Sequence, residues 1–148
     1  MTKRMASIIA LAIFTAATAL AHEGAVGIAK ARMDAMEGMD KQARDISRKI
    51  RANRNLASIA DNAAKIRASA EKIPDWFPVG SDKGVTMAKP AIWSDWDAFK
   101  GYAAKVVAES DKLAAAAATG DPRTIRLQYM ALDQACAECH ERFRAKEH

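Results

Sequence analysis

Cysteine and histidine are scarce in this 148-residue chain, which has two Cys and three His. Two Cys cannot staple a disulfide-dense scaffold, nor complete a four-ligand zinc site by themselves. Turn-forming residues are also few, with seven Gly and four Pro, and only 6% of the chain is aromatic. That poverty, set against abundant Ala, argues against an all-β sandwich or barrel. Strong charge of one sign is missing too: 23 basic residues face 18 acidic ones. Such an excess is too small to indicate a nucleic-acid partner. What the chain does have is bulk for one core, since half of it is hydrophobic and its length suits one domain.

The first residues read as an export signal. Lys3 and Arg4 open it, an apolar stretch from Met5 to Leu20 follows, and Ala19-Leu20-Ala21 forms a small-x-small cleavage site. This pattern predicts a signal peptide over 1–21 and a mature domain over 22–148, placed in the periplasm. The apolar run is short for a bilayer span and diluted with Ala and Thr, and no second one follows, so no membrane span is expected after cleavage. Cleavage leaves 21 basic against 18 acidic residues. Export also favours oxidation of a free thiol pair unless something else claims it.

From His22 onward the apolar residues recur every three or four positions. Val26, Ala29, Met33 and Met36 begin one stripe, which shifts through Met39 to Ala43, Ile46 and Ile50. Leu56, Ile59, Ala63, Ile66, Ala70 and Ile73 form a second, stopped by Pro74, which cannot continue a helix. A third opens after Pro90 with Ile92, Trp96, Phe99, Ala103 and Val106, and ends at Thr119-Gly120. A fourth starts at Asp121-Pro122, a capping residue followed by Pro at the first helical position. It carries Ile125, Tyr129, Leu132, Cys136, Cys139 and Phe143. Short connections after the first and third helices make each pair antiparallel neighbours, while the longer 74–90 segment crosses one end. The expected fold is all-α, an antiparallel four-helix bundle.

Both cysteines fall in Cys136-Ala137-Glu138-Cys139, with His140 next. C-x-x-C-H is the attachment signature of a c-type haem. Two thiols on one turn can add across the two vinyl groups of a porphyrin, and the adjacent imidazole can reach the iron as proximal ligand. A thioredoxin-like redox pair wants a preceding strand that is absent from the pattern. A zinc site lacks two ligands, since His22 and His148 lie near the mature termini. A plain disulfide is the remaining alternative.

A signal peptide, four helices and C-x-x-C-H in the last helix resemble the class II cytochromes c, the cytochrome c′ family with its low-spin relatives. Ile73-Pro74, Trp76-Phe77-Pro78, Lys89-Pro90-Ala91-Ile92-Trp93 and the Phe143-Arg144 pair add local likeness. The resemblance implies one covalent haem c beneath a first helix that crosses its distal face. It implies Met33 as sixth iron ligand, Met36 as second choice, and Arg144 beside the proximal face. Met87, in the long loop, and Met130, on the haem's own helix, are not expected as ligands. The expected activity is one-electron transfer between periplasmic redox proteins, with no substrate turnover. The rival is a five-coordinate protein binding nitric oxide or carbon monoxide, in which the distal residue is only a steric gate. The resemblance allows a monomer or a homodimer. The run Arg44, Arg48, Lys49, Arg51 and Arg54 is a solvated face or a dock for an acidic redox partner.

Overall fold

The computed structural model describes residues 26–146. The predicted signal segment, His22 and His148 lie outside them. Helix α1 spans Gly27–Ala52, α2 Ile59–Ala70, α3 Ala91–Ser94, α4 Trp96–Thr119 and α5 Pro122–Phe143. No strand occurs among the described residues; the one β-bridge pairs Ala88 with Arg144. The expected antiparallel bundle is present, built from α1, α2, α4 and α5, with α2 packed on α1 and α4, and α5 on α4 and α1.

The helix ends follow local chemistry. Helix α1 stops where Asn53 turns left-handed at φ 49°, a conformation Asn tolerates because its short polar side chain can hydrogen-bond locally. Asn55 repeats this at φ 55°, and the chain re-enters helix through a 3₁₀ turn at Leu56–Ser58. Helix α4 ends at Gly120, φ 70°, the left-handed C-terminal stop that glycine makes without a Cβ clash. The third predicted helix is divided: Asp95, at φ −132° and ψ 55°, separates the single turn α3 from α4.

The core is aliphatic at one end and aromatic at the other. Ile46, Ile59, Leu113, Ile125 and Leu132 are buried between the helices at the first end. At the second, Phe99 meets Phe77 edge-on at 4.9 Å and Phe143 at 5.3 Å, with Trp96 5.4 Å away. One buried polar cluster joins α1 to α2. The Asn62 amide donates to Gln42 (2.8 Å) and to Asp45 (3.1 Å), and its carbonyl accepts from the Lys49 ammonium (2.6 Å).

The long connection is a strap. After a 3₁₀ turn at Pro74–Trp76, it is held to the Trp93 indole, which donates to the Phe77 and Pro78 carbonyls at 3.1 Å each. It then runs beside the end of α5. The Lys89 amide donates to the Phe143 carbonyl (2.9 Å) and the Ala145 amide to that of Met87 (2.7 Å).

Candidate functional site

Helix α5 starts from a firm cap. The Asp121 carboxylate accepts from the amides of Arg123 (3.3 Å) and Thr124 (2.9 Å) and from the Thr124 hydroxyl. Pro122 takes the first helical position, where its missing N–H costs nothing. The 3.6-residue period then turns Ile125, Leu132, Ala135 and Phe143 fully inward. Cys136 and Cys139 follow the same face, half-buried and as free thiols. Burial, chiefly, pushes both thiols up to about 11. They are therefore neutral at ordinary pH, unlike the low-pKa thiolates of disulfide exchangers.

Cys139, His140, Phe143 and Arg144 form one wall of a cavity of about 570 Å³, within the size range of cofactor sites. Opposite them α1 contributes Arg32, Met33, Met36, Glu37 and Asp40. Ile73, Phe77, Ile92 and Phe99 supply apolar walls, and the strap closes one side with Thr86, Met87 and Ala88. The His140 pKa is lowered, first by desolvation and second by the Arg144 charge, with Asp40 opposing. Its imidazole is thus favoured in the neutral form, whose nitrogen can bind a metal.

Met33 and Met36 both line the cavity, and Met36 also packs against the buried core. Arg144 lies at the end of α5, its backbone amide bonded to the His140 carbonyl (2.9 Å) and its guanidinium 3.5 Å from the Met87 sulfur.

Two lining residues escaped the sequence reading. Met87 reaches the site because the strap folds back over it. Arg32 is 3% exposed. Its guanidinium donates to the Ser81 carbonyl (3.0 Å) and hydroxyl (2.8 Å) and to the Thr86 hydroxyl (3.4 Å). It also lies 4.3 Å over the Phe77 ring, while its Nε has no hydrogen-bond partner. A signal existed: Ile28, Ala29, Ala35 and Met36, its neighbours one turn away, include no acid to pair with it.

A c-type haem fits this donor set. The Cys139 thiol and a neutral imidazole face thioethers across a largely apolar cavity, with the Cys136 thiol one turn earlier on the same helix outside the lining. The orphaned Nε of a buried cation calls for an anion, and a porphyrin carries two carboxylates. Among the described residues no cluster of three or more His, Cys, Asp or Glu could hold a bare metal ion, and no helix is long and apolar enough to cross a membrane.

Comparison with known proteins supports the same assignment. Residues 27–144 match the family model described as Cytochrome C′. The chain is 41% identical over 88 residues to a cytochrome c′ of Rhodospirillum rubrum, covering 58% of this chain and 59% of that one. It thus spans about three fifths of that relative's length. It is 38% identical over 82 residues to a cytochrome c-556 of Agrobacterium tumefaciens, covering 55% and 66% of the two. Among solved structures, a nitric oxide complex of a variant cytochrome c prime from Alcaligenes xylosoxidans superposes with a TM-score of 0.73 at 25% identity. That match covers 81% of this chain and 94% of the other.

Proposed function

The chain belongs to the cytochrome c′ family, whose members carry covalently bound haem c, and from that premise we propose an exported one-electron carrier with iron ligated on both faces. Bound haem c supplies a reversible Fe(III)/Fe(II) couple. The rest of the work falls to this chain's own residues. Cys136 and Cys139 would hold the group through thioethers, and His140 would offer its neutral imidazole to the iron. Arg32 offers a fixed positive charge and a free Nε to a propionate. Arg144 stands beside His140 and adds a second positive charge on the proximal side. The strap and the aromatic wall line part of the cavity with apolar side chains, which would reduce the solvent reorganisation that accompanies a change of charge.

The observation that carries this reading is the chemistry of α1 at the cavity: it presents thioethers, not hydrocarbon or aromatic side chains. Thioether with imidazole gives a low-spin centre of raised potential. Met36 is placed ahead of Met33 as the distal ligand, inverting the order expected from sequence. The lining residues of α1 run from Arg32 to Asp40, so Met36 lies at their axial midpoint and Met33 sits ~4.5 Å nearer the helix start. Arg32 then falls one turn before the ligand. Export to the periplasm by residues 1–21 and the absence of substrate turnover belong to the same proposal.

A five-coordinate, gas-binding centre is the second reading. Relatives named cytochrome c′, including one solved with nitric oxide, favour it. Optical spectra of the periplasmically matured protein separate the two. Sharp α and β bands in the reduced state, lost in Met36→Ala and kept in Met33→Ala, are expected. A broad high-spin spectrum that shifts with carbon monoxide in the unaltered protein overturns the electron-carrier reading. Loss of the low-spin spectrum in Met33→Ala alone restores Met33 as the ligand.

A further inference from the structure

We propose that the outward face of α5's first half, with the adjoining end of α1, is the docking surface for an acidic redox-partner protein; this rests on the electron-carrier reading. Leu127 and Met130 are 61% and 60% exposed. They lie three residues apart on one face of α5, where neighbouring turns bring them side by side. Arg123 and Arg126 are exposed on the same stripe. The Tyr129 hydroxyl donates to the Ala43 carbonyl (3.2 Å), tying α5 to α1. Because the two helices are antiparallel, the last turn of α1 with Arg51, and Arg54 just beyond it, lie at the same end of the bundle.

The composition of this patch specifies its partner. Protein interfaces are enriched in Arg and Met, and here two exposed apolar side chains are flanked by exposed arginines. Arg54 and Arg126 have no carboxylate partner among the described residues. Of the nearby acids, Asp121 is committed to capping α5, Glu109 is paired with Lys112 and accepts from Gln128, and Asp133 is an exposed carboxylate beside Tyr129. A second copy of the chain would set Arg against Arg, so the complement is an acidic rim around a small apolar spot. Met130 stands six residues before Cys136, ~9 Å along the helix. A partner on this face therefore rests against the helix that carries both attachment cysteines. One electron passes between the two proteins, with no bond made or broken.

The test uses the haem-loaded protein and a plant-type [2Fe–2S] ferredoxin as the acidic probe. Affinity is measured by titration calorimetry across a salt series, and exchange by stopped flow. Arg123→Glu/Arg126→Glu is expected to weaken binding about tenfold or more and to flatten its salt dependence. Leu127→Gln/Met130→Gln is expected to weaken it about threefold to tenfold with the salt slope unchanged. Reduction by dithionite stays as in the parent protein, which verifies folding and loading. The affinity arm needs no electron transfer, so a failed electron-carrier reading shows in the spectrum and a failed docking site shows in the calorimeter. The proposal is overturned if neither variant weakens binding while Lys83→Glu/Lys89→Glu does. It is equally overturned if the arginine variant loses binding to phosphatidylglycerol vesicles yet keeps its ferredoxin affinity.

Discussion

Arg32→Met is the most informative single change in this molecule. The guanidinium is buried, remains charged at any working pH, and forms no ion pair among the described residues; its partners are the neutral groups of Ser81 and Thr86. Its positive charge is therefore not cancelled by any of its own hydrogen-bond partners. A cavity of 570 Å³ treated as a sphere has a radius of ~5 Å, which puts a charge in its wall ~8 Å from the centre. At an effective dielectric constant of ~20, unit charges at that distance interact by ~2 kcal/mol. With tenfold per ~59 mV for one electron, this corresponds to ~90 mV. A paired propionate cancels part of that field, so the expected drop in reduction potential is ~30–90 mV. The sign is fixed: losing a cation favours the ferric, more positive state. Redox titration of the parent, Arg32→Met and Arg32→Lys measures it, and Lys should restore most of the potential because it restores the charge. An Arg32→Met potential within ~10 mV of the parent refutes the argument, since the charge would then not be sensed at the redox centre.

Two other perturbations test the frame around the site. Asn62→Ala removes the amide that joins Gln42, Asp45 and Lys49 across α1 and α2; leaving those groups short of a buried partner should cost about 2–3 kcal/mol, read by denaturant unfolding. Asp121→Ala uncaps α5 and should lower the melting temperature at neutral pH. The Thr124 hydroxyl first, then the Thr124 amide, hold the Asp121 carboxyl below its ordinary range. Its contribution is thus fully present above the unfolded carboxylate value and lost as pH falls through the depressed folded one. The gap between parent and variant should narrow steadily as pH falls below the ordinary carboxylate range, and a gap independent of pH contradicts the charged cap as its source.

Most of the frame was legible because it follows from local rules. Period-3.6 stripes located the four helices of the bundle, and Pro74, Gly120 and Asp121-Pro122 marked ends that chain geometry enforces. The division at Asp95 was not visible, because Ile92 through Phe99 keeps a helical apolar spacing across the break. Cys136, Cys139 and His140 were legible as a group because contiguous residues carry their own spacing. Arg32 and Met87 were not. Met87 reaches the cavity only because the strap is bound to residues some 55 positions later in the chain, a non-local fact. Arg32 looks like any surface cation until its turn is seen packed under Ser81 and Thr86.

The strap has a consequence for timing. Met87 and Lys89 are latched to Phe143 and Ala145 by two short backbone bonds, and the attachment motif ends at His140, three residues before that latch. In order of synthesis the strap waits for the end of α5. A broad, rigid disc enters most readily while those two bonds are open. The helix that carries the attachment motif is thus followed directly by the segment that closes one side of the compartment. A chain that misses its cargo can still close, around an empty chamber whose buried guanidinium is left without its anion.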